Sequence, residues 1–290
     1  MIMRTIKRIT KAEKVNMGGI FIDQPLPNMT TNQVDPFLLI HHWASILQGG
    51  QSQKEVGVGP HPHRGFSPVT IIFKGALHHR DSLGNDSVIK AGGVQWMHAG
   101  KGITHSERPS KALAEKGGEF EIIQFWINTP SGSKMNPAVY YPKTKDELPV
   151  INFDEGKARL QVLTGQYDNV EGPIPQMSPL FVARLDMDAD ATINLDLEQD
   201  HHVVIYQLDG DVTINENQTG PKSMVIFENE GGDIKIASHV ASRLLILTGK
   251  PIGEPVESYG PFVMNNTTEI MQAMRDAQIG KMGVLIEEFE

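Results

Sequence analysis

Short segments rich in Val, Ile, Phe and Trp recur along this chain and are separated by glycine-containing turns. Clear examples are SPVTIIFKGAL (67–77), SVIKAGGVQWMH (87–98) and FEIIQFWIN (120–128). Runs of β-branched and aromatic residues bounded by turn residues are typical of antiparallel strands, whereas βαβ units need long amphipathic helices between the strands. The pattern therefore predicts an all-β fold of antiparallel β-barrels or β-sandwiches.

The strand pattern occurs in two blocks, so we expect two domains. The second block runs from about residue 158 to 250, and the turn-rich segment 129–150 lies between the blocks. A chain of 290 residues is long enough for two modest domains. The expected boundaries are a first barrel over 1–135, a linker over 136–157 and a second barrel over 158–290.

Convincing amphipathic helices are few. The best is TTEIMQAMRDAQIG (267–280), with Asn266 or Thr267 as its N-cap and Gly280 as its stop. A weaker helix is expected around residues 110–116. The second barrel is therefore predicted to carry a terminal helix.

Composition excludes several classes of protein. The chain has no cysteine, which removes disulfides and thiolate ligands, and no stretch approaches the roughly 20 apolar residues of a membrane span. The net charge is −9 and no basic patch is visible, so direct nucleic-acid binding is not expected. Basic residues alternate with isoleucines in the N-terminal segment, as they do in an amphipathic strand. The segment has no apolar stretch of the kind found in a secretory signal peptide. We expect a cytoplasmic monomer.

Histidine is concentrated in one part of the chain. Eight of the 11 histidines lie between positions 41 and 105. Two of them form His61-Pro62-His63, and a third begins His105-Ser106-Glu107. In a strand, residues i and i+2 project to the same face, so each pair can point into a barrel together. Two such pairs on neighbouring strands can offer three imidazoles and one carboxylate to a single metal ion.

This set of donors suits several divalent metals. Fe(II), Mn(II), Ni(II), Cu(II) and Zn(II) all accept imidazole and carboxylate ligands, and affinity alone does not choose between them. Four ligands on an octahedral ion leave two positions open, which argues against a purely structural metal. The adjacent pairs His41-His42, His78-His79 and His201-His202 point to opposite faces of a strand, so we expect structural or supporting roles for them, and likewise for His98.

The sequence resembles the pirin family of the cupin superfamily. The resemblance rests on HPHRGF (61–66), HRDSLGN (79–85), QWMHAGKGITHSE (95–107) and YGPFVMN (259–265), and it covers nearly the whole chain. It implies a bicupin in which only the N-terminal barrel holds metal. It also implies a mononuclear Fe(II) site formed by His61, His63, His105 and Glu107, the set that strand spacing reaches independently.

The resemblance implies quercetin 2,3-dioxygenase activity, with a flavonol and O2 as substrates and a carboxylate accepting the flavonol proton. Glu107 is the expected base as well as a ligand. An apolar pocket for an aromatic substrate is expected among the large side chains of the first barrel: Phe66, Phe73, Trp96, Met97, Phe125 and Trp126. The alternative is an iron-dependent, redox-sensing regulator that binds a transcription factor or a metabolic enzyme.

The chain departs from the family pattern at two places. Ser67 stands where pirins commonly have Glu, in HPHRGFET, which is expected to change hydrogen bonding near the site without removing a ligand. GGIFIDQPLP (18–27) lacks the arginines often found after these glycines. The second barrel has no H-x-H pair, and no metal is expected there.

Overall fold

The computed structural model describes residues 2–289, and that part of the chain is mostly β-structure. Its strands in the first half are β1 (Ile6–Lys11), β2 (Glu13–Met17), β3 (Ile20–Leu26), β4 (Phe37–Leu47), β5 (Val58–His63), β6 (Phe66–Lys74), β7 (Ala76–Asp81), β8 (Asp86–Lys90), β9 (Val94–His98), β10 (Ile103–Pro109), β11 (Gly118–Asn128) and β12 (Val139–Lys143). Those in the second half are β13 (Val150–Phe153), β14 (Ala158–Thr164), β15 (Gln166–Tyr167), β16 (Val170–Glu171), β17 (Leu180–Met187), β18 (Thr192–Asp196), β19 (His202–Asp209), β20 (Val212–Ile214), β21 (Asn217–Thr219), β22 (Ser223–Phe227), β23 (Asp233–Ser238), β24 (Ser242–Gly249), β25 (Glu257–Tyr259) and β26 (Phe262–Met264). The expected all-β fold class is confirmed.

Two helices form where the sequence predicts them. Helix α1 (Lys111–Lys116) begins after Ser110, whose side chain accepts a hydrogen bond from the Leu113 amide. Helix α2 (Thr267–Gln278) begins after Asn266, whose side chain accepts from the Glu269 amide. Neither helix in the described residues is long and apolar enough to cross a membrane.

The chain divides into two compact units, each made of two separate segments. One unit contains residues 1–38 and 147–252, and the other contains 39–146 and 253–290. This division differs from the expected boundaries at 135 and 158. The N-terminal residues group with the second half of the chain, and the C-terminal residues group with the first half. Strand β1 pairs with β22, and residues 253–290 belong with the strands that carry His61 and His105. The expected linker also contains two strands, of which β12 pairs with β9 and β13 pairs with β14.

Two antiparallel sheets form the core of the unit of residues 1–38 and 147–252. The strand orders are β1-β22-β19-β24-β17-β14-β13 and β18-β23-β20-β21. Buried aliphatic side chains from both sheets form one core, among them Val162 and Ile205 from the first sheet and Ile193 and Ile236 from the second. Burial of these β-branched side chains holds the two sheets together.

The histidine-bearing unit has the same plan. One of its sheets has the order β5-β10-β7-β8, and the other contains the neighbouring strands β12-β9-β6-β11-β4. Ile72 and Phe120 of the larger sheet and Leu77 and Ile89 of the smaller one share a buried cluster. The smaller sheet places the histidine pairs on adjacent strands.

Candidate metal centre

Strands β5 and β10 are antiparallel neighbours, and their register brings the predicted ligands together. His105 lies directly opposite His61, and Ile103 lies opposite His63. The side chains of His61, His63 and His105 each offer a ring nitrogen within 4.8 Å of the other two. Same-face projection of residues i and i+2 therefore produces the expected cluster of three imidazoles.

Backbone carbonyl groups fix the orientation of two of these rings. The Nδ1–H of His61 donates to the carbonyl oxygen of Gly59 (2.8 Å), and the Nδ1–H of His63 donates to that of Pro261 (3.3 Å). A carbonyl oxygen only accepts, so each neutral ring carries its proton on Nδ1 and a lone pair on Nε2. These two lone pairs are the donors that a metal ion needs.

The ring nitrogens that carry these lone pairs lie close to the third histidine. The Nε2 of His105 lies 3.0 Å from that of His61, and the buried Nε2 of His63 has no hydrogen-bond partner among the described residues. Burial, followed by the nearby His61, lowers the pKa of both His63 and His105 well below the usual value. Neutral imidazoles with inward lone pairs fit a divalent transition metal.

Glu107 projects from the same strand but does not belong to this cluster. Its Oε1 accepts a hydrogen bond from the Thr70 hydroxyl (2.8 Å), and its Oε2 accepts one from the Gln124 amide (2.6 Å). The indole N–H of Trp126 donates in turn to the Gln124 carbonyl oxygen (3.3 Å). The structure thus brings the three histidines together and holds the fourth predicted ligand on a separate polar network.

Sequence reasoning missed Thr70 and Gln124. They lie opposite each other on β6 and β11, and each interrupts a strand that is otherwise largely apolar. A lone polar residue in such a strand needs a hydrogen-bonding partner when it is buried. That interruption is the signal that could have identified them.

The predicted aromatic residues separate into two groups. Phe66 and the half-buried Trp126 lie beside His63, with ring centroids 5.1 and 5.7 Å from its imidazole. The other members are buried core side chains: Phe73, Trp96, Met97 and Phe125. Only Phe66 and Trp126 therefore form an aromatic wall next to the histidine cluster among the residues predicted for this role.

Several other histidines have side-chain or backbone partners. His98 lies 2.7 Å from the Ser67 hydroxyl, His201 lies 3.0 Å from the Thr248 hydroxyl, and His202 contacts the Asp35 carbonyl. Ser67 is thus a hydrogen-bonding partner of a buried histidine at the position where pirins commonly have Glu.

The pair His78-His79 divides across β7 as the alternation predicts. His78 lies 2.7 Å from the exposed Asp86 carboxylate. His79 is buried and contacts His105.

Comparison with known proteins places this architecture. Residues 20–127 match the Pirin family profile, and residues 182–283 match that of the Pirin C-terminal cupin domain. A Pseudomonas aeruginosa protein named "Putative quercetin 2,3-dioxygenase PA2418" is 34% identical over 254 residues, which cover 88% of each chain. The chain belongs to the pirin family. The expected bicupin organisation is confirmed, with one pirin-family domain matched in each half of the sequence.

Two solved structures show the same pirin fold. A crystal structure of quercetin 2,3-dioxygenase from Acinetobacter baumannii has a TM-score of 0.92 and 35% identity, and it covers 98% of this chain and 100% of its own. The bacterial pirin YhhW from Escherichia coli, in complex with nickel(II), has a TM-score of 0.68 at 21% identity over 84% and 99% of the two chains. The second likeness concerns the fold alone.

Proposed function

We propose that this member of the pirin family is a mononuclear metal-dependent dioxygenase of the quercetin 2,3-dioxygenase type. The metal ligands in this proposal are His61, His63 and His105 together with Glu107, whose carboxylate lies outside the histidine cluster but has lone pairs beyond the two hydrogen bonds that it accepts. The observation that carries it is the convergence of three buried or half-buried imidazoles, each with a ring nitrogen within 4.8 Å of the other two. The likeness to the Acinetobacter baumannii enzyme, at 35% identity over nearly the whole chain, supports the choice of reaction.

The proposed metal is Fe(II), which the family resemblance favours and the donor set accepts. Mn, Ni, Cu and Zn fit the same donors, since imidazole and carboxylate are ligands for all of them. When bound, the ion would supply Lewis acidity toward the flavonol oxygen and a site for O2 chemistry. Overall, a flavonol and O2 would give a ring-opened ester and carbon monoxide.

Glu107 is the proposed proton acceptor for the 3-hydroxyl group of the flavonol. Its carboxylate is held in place by hydrogen bonds from the Thr70 hydroxyl and the Gln124 amide. Phe66 and Trp126 provide an apolar surface beside His63 on which a flat aromatic substrate can pack. These residues bind and deprotonate the substrate next to the histidine cluster.

Aerobic loss of quercetin absorbance tests the proposed activity. We expect turnover by Fe(II)-loaded protein and none after removal of the metal with a chelator. A fully metal-loaded sample without turnover would contradict the dioxygenase assignment. The regulatory alternative would then become the working hypothesis, to be pursued by a search for binding partners.

Substitutions of His61 and Glu107 test the proposed ligands and the proposed proton acceptor. His61→Ala is expected to lose stoichiometric metal, because it removes one of the three converging nitrogens. Glu107→Gln keeps the size of the side chain but removes its basicity, and it is expected to lower kcat by about 10²- to 10⁴-fold. Metal content and steady-state turnover are the measurements. His78→Gln is the matched control, since His78 pairs with exposed Asp86 rather than with the cluster. Unchanged metal content in both His61→Ala and Glu107→Ala would contradict the assigned ligands.

A further inference from the structure

The third histidine of the cluster is backed by another side chain rather than by a carbonyl group. The Nδ1 of His105 lies 3.4 Å from the Nδ1 of His79, and the Nε2 of His79 lies 2.9 Å from Oδ2 of Asp81. His79 and His105 are both 2% exposed, and the Asp81 side chain is fully buried. The three residues form a continuous buried chain that ends at the histidine cluster.

Two independent contacts fix the ring of His79. Its imidazole stacks on Tyr140 with a centroid distance of 3.9 Å and an interplanar angle of 5°. The Tyr140 hydroxyl is in turn 2.7 Å from the Ser87 hydroxyl. The ring is thus held by stacking from one side chain and by a hydrogen bond to Asp81.

Asp81 determines which nitrogen of His79 carries the proton. Its carboxylate accepts hydrogen bonds from the Leu83 amide, the Asn85 amide and the Asn85 side chain, in addition to the bond with His79. An ionised carboxylate only accepts, so the Nε2 of His79 must donate. In the neutral ring this leaves a lone pair on Nδ1, directed at His105.

We propose that His79, oriented by Asp81 and Tyr140, is a positioning residue that holds the proton of His105 on Nδ1 and so keeps its Nε2 lone pair directed into the histidine cluster. This inference rests on the metal site of the proposed function. When two neutral rings face each other through their Nδ1 atoms, one Nδ1 donates a hydrogen bond and the other accepts it. Because Nδ1 of His79 carries a lone pair, Nδ1 of His105 is the donor. His79 thus accepts a hydrogen bond from Nδ1 of His105, as the carbonyl groups of Gly59 and Pro261 accept from Nδ1 of His61 and His63.

Two substitutions at one position separate this role from a merely structural one. The side-chain oxygen of Asn can occupy the place of the His79 Nδ1, so His79→Asn retains an acceptor for His105. His79→Gln extends to the place of Nε2 and retains the partner of Asp81 but not that of His105. We expect His79→Gln to weaken metal binding by about 10- to 100-fold, while His79→Asn stays close to the wild type. If His79 served only as the partner of Asp81, His79→Asn would bind metal more weakly than His79→Gln.

The measurement is the dissociation constant for Ni²⁺ in competition with a chelator of known affinity. His78→Asn on the same strand is the control, and far-UV circular dichroism of each metal-free variant checks the fold. Equal affinity of all variants, or weaker binding by His79→Asn than by His79→Gln, would overturn the inference while the metal site stands. Failure of the wild type to bind one equivalent would instead contradict the proposed function.

A second readout does not depend on affinity. In the Zn²⁺-loaded wild type, the Nδ1 proton of His105 should be observable by NMR and protected from exchange with water. We expect this protection to persist in His79→Asn and to be lost in His79→Gln. Protection that is unaffected by both substitutions would show that His79 does not hold the proton.

Discussion

Lys134 is a buried ammonium group that joins three parts of the histidine-bearing unit. Its Nζ donates to the carbonyl oxygens of Gly65 and Val263 and to Oδ1 of Asn128, at 2.6, 3.1 and 2.6 Å. Lys134→Met would leave these acceptors without that donor, so we expect a loss of about 3 kcal/mol in the free energy of unfolding. Chemical denaturation checks the value. Lys111→Met, on an exposed side chain, should change it by less than about 0.5 kcal/mol.

The same lysine makes the free energy of unfolding depend on pH, and the direction of that dependence follows from its pKa. Burial lowers the pKa of Lys134 to about 8, although Glu254 and Glu269 oppose the shift. Between this value and the ordinary value of 10.5, the unfolded chain binds more protons than the folded one, so stability rises with pH. We expect the stability difference between wild type and Lys134→Met to grow from pH 8 to 10 and to be flat between pH 6 and 7. A difference that falls with rising pH would contradict the argument.

At the scale of residues, the sequence predicts the face of a strand to which a side chain points better than it predicts the hydrogen-bond partners of that side chain. The period of two in a strand is enough to place His61, His63 and His105 on a common face. It also predicts that only one histidine of His78-His79 points inward, and His79 does so. The contacts of Glu107 were not predictable, because Thr70 and Gln124 lie on strands whose position opposite β10 is set by the packing of the two sheets.

At the scale of elements, helix α2 depends on its N-cap. The side chain of Asn266 accepts the Glu269 amide at 3.0 Å, and Ile270 and Ala273 pack against Phe262. Asn266→Ala removes the cap and should cost about 1 kcal/mol, whereas Asn266→Ser should cost a few tenths at most, because Ser is a comparably good N-cap residue. Thermal unfolding of the two variants measures the difference. Equal midpoints for Asn266→Ala and wild type would exclude a contribution from the cap.

The segment after α2 is attached to β10 by a buried ion pair. Glu287 accepts two hydrogen bonds from Arg108, both 2.7 Å, and the two side chains are 5% and 8% exposed. Glu287→Ala leaves a buried guanidinium without its carboxylate, so we expect a loss of about 3–5 kcal/mol. Unfolding in denaturant checks the loss, with the exposed neighbour substitution Glu288→Ala as the control. The double substitution of Arg108 and Glu287 by Met should be closer to wild type than either single one.

At the scale of the whole molecule, each unit is assembled from two distant parts of the chain. Local strand patterns reveal where strands occur, but they carry no information about which remote strand each will join. For this reason the sequence predicted two β-domains correctly but not their composition. The pairing of β1 with β22 is one such long-range contact, and the grouping of residues 253–290 with residues 39–146 is another.

The assembly of the histidine-bearing unit from residues 39–146 and 253–290 predicts how a truncated protein behaves. A chain ending at Ile252 retains all four proposed ligands but lacks Pro261, Asp276 and Glu287, which bond to His63, Arg64 and Arg108. We expect it to bind less than stoichiometric Ni²⁺ and to unfold at a lower temperature than the full chain. Metal analysis and circular dichroism are the measurements. Wild-type affinity in the truncated chain would show that residues 253–290 do not support the site.

The carbonyl group of Pro261 that orients His63 lies 198 positions beyond it in the sequence. A ribosome therefore releases the three histidines long before it makes the residue that directs one of them. During that interval the nascent chain can expose imidazoles to the metals of its surroundings without the backing that sets their geometry. For the proposed metal site, the order of synthesis thus places loading in the final geometry late, after the residues of the other unit have been made.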